Sequence, residues 1–351
     1  MKIVCLNKYV KPITGGEKYN ERFLTFLSQY AKEAIDSTPN CEVTYPSWKK
    51  ILAPILELKL LKRLCGEKLI IMFDASYKYH ILLSILLWFF NRRAKMVVIV
   101  HHFLFLGDQG FRRVINFCWQ YLYMLPCQAM LVPSPYTYDV AKRLFPRKRI
   151  FYVPIPFQKQ YTSSDIYKQG NWLYVGTIEE RKGLHHLIEA LHQIKKTKPD
   201  CQFELNLVGK VLNEDYFTRL KLQIAENGLS EYVKFRGRVS DEELNDCYQR
   251  AEIFTFPSLL EGYGMVMIEA MSRGVPVVAF ANSAMPYTIK DGVNGLLAEN
   301  ENASSFAEKI LKLTGNPSLR AELQKGIKET MLHVKTDDDF QQAIIDLYTH
   351  I

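Results

Sequence analysis

The amino-acid sequence predicts an α/β protein of two successive doubly wound units, each a Rossmann-like parallel sheet with helices on its faces. Three observations carry that expectation. Short apolar runs alternate with helical patterns, the signature of parallel strands joined by helical crossovers. A stretch rich in Pro, Ser and polar residues, "VPIPFQKQYTSSDIYKQGN" (153–171), interrupts the alternation near mid-chain and reads as a linker. The length of 351 residues, with 48% hydrophobic and 23% charged side chains, suits two globular cores rather than one.

In the first half, "KIVCLN" (2–7) reads as a strand, and the glycine loop "TGGEKYN" (14–20) leads into a helix over "ERFLTFLSQYAKEA" (21–34). "KLIIMFD" (68–74), "KMVVIVHH" (95–102) and "AMLVPS" (129–134) are near-continuous apolar runs, as strands buried on both faces must be. After the linker, strand "WLYVG" (172–176) precedes helix "LHHLIEALHQIKKT" (184–197). "FELNLVG" (203–209), "VKFRG" (233–237), "IFTFPS" (253–258) and "PVVAF" (276–280) continue the series. An Asn-Gly turn in "DGVNGLLAEN" (291–300) comes before a short strand, and helical patterns cover 303–313, 317–333 and 338–351. In such sheets a ligand binds beyond the carboxyl ends of the strands, which places the expected cleft where the two sets of strand ends face one another.

Charge is uneven. The net charge is +8, yet residues 1–160 carry 24 basic and 10 acidic side chains, while the remainder carries 21 and 27. A basic N-terminal half suggests an anionic partner, with a merely solvated basic face as the plain alternative. No ribonucleoprotein-type aromatic and basic strand accompanies that charge, so a nucleic-acid partner is not expected. The seven cysteines are scattered without a CxxC pair, which fits free thiols in a reducing compartment rather than a disulfide or zinc framework. The opening "MKIVCLNKYV" lacks the apolar region and cleavage site of a signal peptide. The longest apolar run, "HILLSILLWFF" (80–90), is too short to span a bilayer and reads as a buried helix, with surface insertion as the other reading. Localisation is therefore expected to be cytoplasmic.

The chemistry concentrates in "LEGYGMVMIEAMSRGVPVV" (260–278). Gly262 and Gly264 bracket a bend before a helix, so the backbone N–H groups near Met265 and Val266 begin that helix unsatisfied and partly positive. Glu261 precedes the helix and Glu269 lies about a turn inside it. Ionised carboxylates accept hydrogen bonds and donate none, which suits a ligand rich in hydroxyls, while the free N–H groups suit its negative oxygens. A glutamate cap beside a surface helix glutamate is the plainer reading of the same spacing. In "TIEERKG" (177–183), Arg181 and Lys182 sit after a strand and before a helix, where cations suit a diphosphate that gains charge as its bond to carbon breaks. Gly15 and Gly16 form a turn able to approach a phosphate, although the spacing matches neither a dinucleotide fingerprint nor a Walker motif. His101 ends a strand at a sheet's carboxyl edge, with His102 the one-residue alternative. "DDD" (337–339) satisfies an Asp-x-Asp search but stands at a helix start, where acidic residues serve as caps, and no metal site is expected.

These segments together resemble the retaining GT-B glycosyltransferases of family four. "LLEGYGMVMIEAMSRGVPVVAF" is similar to their E-x7-E signature, with Val266 where proline is common. "LYVGTIEERKGLHHLIEAL" (173–191), "LNLVGK" (205–210), "VKFRGRVSDEEL" (233–244), "IKDGVNGLLAEN" (289–300) and "ITGGEKYNERFL" (13–24) follow in the family's order. The resemblance implies a GT-B fold: two Rossmann-like domains facing across a cleft. It places an acceptor domain at 1–155, a linker at 156–170, a nucleotide-sugar domain at 171–334, and a last helix, 335–351, crossing back to the first. It further implies a metal-independent hexosyltransferase that moves a sugar from a UDP- or GDP-linked donor to an acceptor hydroxyl with retention of configuration.

The implied roles follow residue by residue. Glu269 holds ribose hydroxyls, Glu261 faces the transferred sugar, and the amides of Gly262, Tyr263, Gly264, Met265 and Val266 hold sugar hydroxyls and phosphate oxygens. Lys182 matches the phosphate lysine. The family's second arginine falls on Thr177, after Gly176, and leaves Arg181 as its candidate substitute. Gly15, Gly16, Gly209 and Val239 complete the donor site, and His101 stands near the reacting sugar. No cofactor is expected beyond the nucleotide-sugar substrate. The acceptor would be a sugar, a polysaccharide or a lipid-linked saccharide. Mixed apolar and basic segments at 58–68 and 89–95 suggest peripheral contact with an anionic membrane at its inner face. The alternatives are a GT-B nucleotide-sugar epimerase, which would turn over donor alone, and a non-catalytic nucleotide-sugar-binding protein.

Overall fold

The computed structural model describes residues 2–6, 15–35, 69–75, 81–91, 93–159, 161–162 and 167–351. The segment at 58–68, together with Thr14 and Arg92, lies outside the described residues. The chain divides into two compact units, Met1–Phe157 with Lys335–Ile351, and Gln158–Val334.

Among the described residues, the first unit holds five parallel strands in the order β1 (Lys2–Leu6), β2 (Leu69–Asp74), β3 (Lys95–Ile99), β4 (Ala129–Val132) and β5 (Arg149–Tyr152). Among its described residues, helices α1 (Gly15–Ile35), α2 (Ile81–Phe90), α3 (Gly110–Met124) and α4 (Pro135–Leu144) accompany the sheet. Met96, Val98, Met130 and Val132 are buried in a core that also takes Phe103, Phe105 and Phe145. Helix α4 shows why the chain turns where it does: Ser134 accepts the Thr137 N–H at 3.0 Å, and Pro135 occupies the first turn, where its missing N–H costs nothing. The last helix of the chain (Asp337–His350) packs on α1, with Phe340 edge-on to Tyr19 at 5.8 Å and Tyr348 edge-on to Tyr30 at 5.8 Å. Its acidic start is a cap, since Asp339 accepts the Thr336 N–H at 2.9 Å.

Helix α2 corrects one expectation. The run at 80–90 does form a helix, but its C-terminal end is not buried: Trp88, Phe89 and Phe90 are 49%, 60% and 67% exposed. The helix is apolar all round, and the sheet can cover only one side of it.

The second unit is a six-stranded parallel sheet of β6 (Asn171–Val175), β7 (Glu204–Val208), β8 (Val233–Gly237), β9 (Ile253–Phe256), β10 (Val277–Phe280) and β11 (Gly295–Ala298). Its order is β8-β7-β6-β9-β10-β11. That is the doubly wound arrangement in which the chain leaves from the middle, proceeds to one edge, then returns and proceeds to the other. The crossovers are α5 (Leu184–Thr197), α6 (Glu214–Glu226), α7 (Asp241–Arg250), α8 (Met265–Ser272) and the four-residue α9 (Met285–Thr288). Helices α10 (Ala303–Thr314) and α11 (Pro317–Leu332) follow β11. Trp172, Tyr174, Phe254 and Phe256 are fully buried, as the continuous apolar runs require. Strands β6 and β9 are neighbours from opposite halves of the winding, so the topological switch point lies between their carboxyl ends.

Candidate active site

The switch point brings together two segments far apart in sequence. From β6 the chain runs through Gly176 and Thr177 into a short 3-10 turn, Glu180–Lys182; from β9 it runs through Ser258 to Glu261. Gly183 lets the two loops touch. It has φ +65°, and a Cβ there would lie 2.1 Å from the Pro257 carbonyl oxygen, so only glycine permits the approach. The contact is tied by the Leu259 N–H donating to the Arg181 carbonyl at 2.9 Å.

That approach places the Lys182 Nζ 2.6 Å from the Glu261 Oε1, each side chain only 12% exposed. The same oxygen accepts the Ser258 hydroxyl at 2.7 Å, and the Glu261 N–H donates to the Ser283 Oγ at 2.9 Å. Ser283 sits in the left-handed region at φ +41°, a strained conformation at a site that its hydroxyl helps to order. Burial by itself pushes the Glu261 carboxyl up. The charges of Lys182 and Arg181, with the hydrogen bonds from Lys182 and Ser258, outweigh it and hold the group below its ordinary value. Glu261 is thus a buried carboxylate kept ionised and fixed in place. Tyr174, buried beneath it, has a hydroxyl pushed well above the phenol range by desolvation and by the Glu261 charge.

Arg181 is directed at neighbours within its own loops: Nη2 meets Glu179 Oε1 at 2.9 Å and Nη1 donates to the Leu260 carbonyl at 2.8 Å. Thr177 donates to the same glutamate oxygen at 2.8 Å. Gly264 caps α8 in the left-handed conformation at φ +82°, and no side chain caps the helix. The N–H groups of Met265 and Val266 open the helix ahead of its first possible internal bond, next to the loop that carries Glu261. One turn further on, Glu269 is half-buried and its Oε2 accepts the Tyr248 hydroxyl at 3.0 Å. Gly262 and Tyr263 lie in the connecting bend, half-buried, and burial pushes the Tyr263 hydroxyl up to about 12. Gly209 and Val239 follow β7 and β8 at the same edge of the sheet, and the Gly209 N–H donates to the Gly237 carbonyl at 2.8 Å.

The first unit gathers a separate group. His101 follows β3, and its Nε2 lies 2.9 Å from Asn20 Oδ1; the Asn20 amide donates to the buried Asp74 Oδ2 at 2.6 Å. Because that amide must face the carboxylate, its oxygen faces the ring. The proton therefore sits on Nε2, leaving Nδ1 as the acceptor. Burial lowers the His101 pKa below its ordinary 6.5, although Asp74 opposes the shift. Gly15 and Gly16 begin α1, and the Gly16 backbone rests on the imidazole: a Cβ there would stand 3.3 Å from the ring. His102 is half-buried beside it. Sequence reasoning did not single out Asn20, Asp74, Ser258, Ser283 or Tyr248. A carboxylate ending the apolar run "KLIIMFD" is a signal that would have found Asp74. Among the described residues, no cluster of His, Cys, Asp and Glu has the arrangement of a metal site.

Residues 162–330 match the model of the family described as glycosyl transferases group 1. The matched stretch, a little under half of the chain, is similar to a group 1 glycosyltransferase domain. The two arms of the loop pair just described, 177–183 and 258–269, both fall within the matched residues. A glycosyltransferase of Methanocaldococcus jannaschii whose own role is uncharacterised is 33% identical over 167 residues, covering 47% of this chain and 44% of that protein. The chain thus aligns with less than half of that relative's length. Two solved structures align along the whole chain. A sucrose-phosphate synthase from Thermosynechococcus elongatus superimposes with a TM-score of 0.76 at 18% identity, covering 99% of this chain and 98% of that one. HepE of Anabaena, solved with UDP and glucose, gives 0.74 at 22% identity with complete coverage of both. The fold is GT-B.

Proposed function

We propose that the protein is a metal-independent retaining glycosyltransferase, which moves a sugar from a nucleoside diphosphate donor to a hydroxyl of a saccharide or lipid-linked saccharide. The observation that carries the proposal is the buried Lys182–Glu261 pair beside the uncapped start of α8. In this reading the α8 N–H groups and Lys182 take the diphosphate, because partial positive charge and an ammonium both gain as the leaving group becomes more anionic. Glu261, ionised and anchored by Ser258, accepts hydrogen bonds from hydroxyls of the transferred sugar. Glu269, oriented by Tyr248, accepts them from the ribose. Neutral His101 offers its Nδ1 lone pair to a hydroxyl of the reacting sugar. Transfer then proceeds on one face: the sugar–phosphate bond breaks, the acceptor oxygen bonds the same face of the sugar, and the departing phosphate oxygen takes the acceptor's proton.

The UDP and glucose bound to HepE support testing uridine diphosphate sugars first, with the guanosine series second. Incubation with each donor and simple acceptors, followed by proton NMR, is expected to show a product with the donor's anomeric configuration, formed with release of nucleoside diphosphate. Loss of this turnover by about 100-fold in Lys182→Met is expected for a group that stabilises developing charge. Turnover of donor to an epimer without acceptor would replace this reading with the isomerase. Thr177, tied to Glu179 where the resemblance implies an arginine, favours a second reading as a nucleotide-sugar-binding protein. Tight donor binding with no turnover by any acceptor would support that one.

A further inference from the structure

Helix α3 is built the wrong way round for a water-facing helix. Its inward side carries Asn116 and Gln120, 6% and 5% exposed; Asn116 donates to Asp108, and neither amide atom of Gln120 has a hydrogen-bond partner. Its outward side carries Phe111, Val114, Ile115, Trp119 and Leu122, between 40% and 77% exposed. Their spacing of three and four residues makes one continuous stripe. Helix α2 packs against α3 and adds the exposed Trp88, Phe89 and Phe90. Of the sixteen large apolar side chains exposed among the described residues, ten lie between 88 and 125. A contiguous face of this kind marks a surface that meets something apolar.

The rim of the face identifies what that is. Residues 81–160 hold 11 basic and 2 acidic side chains. Arg112 and Arg113 are exposed at the start of α3. At its other end the Lys148 ammonium donates to the Leu125 carbonyl at 2.6 Å, and Phe145 stacks on Tyr121 at 5.1 Å. Both contacts hold the basic turn 142–149 against the helix. An aromatic stripe containing two tryptophans, bordered by arginine and lysine, matches the layering of a lipid headgroup region over acyl chains. A second copy of the chain would bring one basic rim against another, which like-charge repulsion disfavours. We infer that the α2–α3 face is a docking surface for an anionic lipid bilayer, on which the protein lies without crossing. No helix among the described residues is long and apolar enough to span a membrane. This inference does not depend on the sugar-transfer reading.

Cosedimentation with vesicles tests it. Wild-type protein is expected to bind vesicles containing phosphatidylglycerol and to bind pure phosphatidylcholine far less, with the difference shrinking at high salt. The double variant Arg112→Glu, Arg113→Glu and the double variant Ile115→Ser, Trp119→Ser are each expected to bind at least about tenfold more weakly, on roughly 1 kcal/mol per basic residue near an anionic surface and the loss of buried apolar area. Circular dichroism should show both variants folded, with a modest fall in melting temperature in the arginine variant, where Arg112 gives up its pair with Asp108 at 3.0 Å. A readout on unaltered protein stands beside these: lipids brominated in the acyl chain are expected to quench its tryptophan fluorescence. No wild-type binding to anionic vesicles, absence of quenching, or unchanged binding by both variants overturns the inference. Self-association lost in the Ile115→Ser, Trp119→Ser protein, without vesicle binding, would assign the face to a second copy.

Discussion

Lys182 and Glu261, 79 positions apart in sequence, form a buried ion pair at 2.6 Å where β6 and β9 diverge at the switch point of the second sheet. The Ser258 hydroxyl, the Ser283 hydroxyl and the left-handed Gly183 all converge on the same few ångströms. The pair thus ties the two loops together at the sheet's switch point.

Removing one partner should cost stability. Lys182→Met leaves the Glu261 carboxylate buried with Ser258 and a guanidinium at 3.6 Å, and is expected to destabilise the second unit by about 2 kcal/mol, the scale of a hydrogen bond to a charged group. Adding Glu261→Gln should cost less than the two single changes together, because one interaction cannot be lost twice. Urea unfolding of the four proteins measures the cycle.

Acid should weaken the fold through the same residue. The Glu261 pKa is lower in the folded protein than its ordinary 4.5. Its contribution is therefore complete above that value and is lost as pH falls below it toward the folded pKa. A stability profile between neutral pH and pH 3 is expected to steepen below about 4.5 in wild type and to be flatter there in Glu261→Gln.

His101 is expected to be neutral through the physiological range. Burial lowers its pKa from 6.5, so the folded state resists protonation and loses stability as pH falls below 6.5. Two-dimensional NMR of the imidazole nitrogens should show a proton on Nε2 and a titration midpoint below 6.5. A proton on Nδ1 would contradict the Asn20 orientation.

Gly183→Ala should be costly for geometric reasons. The new methyl would meet the Pro257 oxygen at 2.1 Å in a conformation that L-residues avoid. A loss of about 2 kcal/mol or more is expected, since left-handed strain alone contributes of order 1–3 kcal/mol. Thermal denaturation checks it.

Tyr248→Phe removes the donor that orients Glu269 and keeps the ring. If Glu269 binds ribose, the donor KM should rise several-fold with kcat nearly unchanged, the pattern of lost uniform binding. Steady-state kinetics with the preferred donor separates the two parameters.

Much of the fold was legible because parallel strands buried on both faces must be continuous apolar runs, as β3, β6 and β9 are. Strand β5 escaped notice because it is an edge strand with an exposed arginine, Arg149, and half-buried neighbours. Helix α3 escaped because its amphipathic pattern is inverted, with Asn116 and Gln120 turned to the core and an apolar stripe turned to solvent. Helix α2 showed itself as a helix but not as an exposed one, since an apolar run carries no mark of which side meets water. At the site, Lys182, Glu261 and Glu269 were visible as charges placed at strand ends and a helix start. Ser283 and Tyr248 were not, because their roles arise from contacts between segments about twenty residues apart that no local pattern encodes. Asn20 and Asp74 meet across 54 residues for the same reason.

The most direct measurement is a calorimetric titration of nucleoside diphosphate into wild type and Lys182→Met, with Glu269→Gln as a third arm. Wild type is expected to bind uridine or guanosine diphosphate, with affinity falling roughly 10- to 100-fold in each variant, the equivalent of about 1.5–3 kcal/mol for a lost charge-assisted hydrogen bond. Equal affinity in all three proteins, or binding of neither nucleotide by wild type, would contradict the assignment of this loop pair as the donor site.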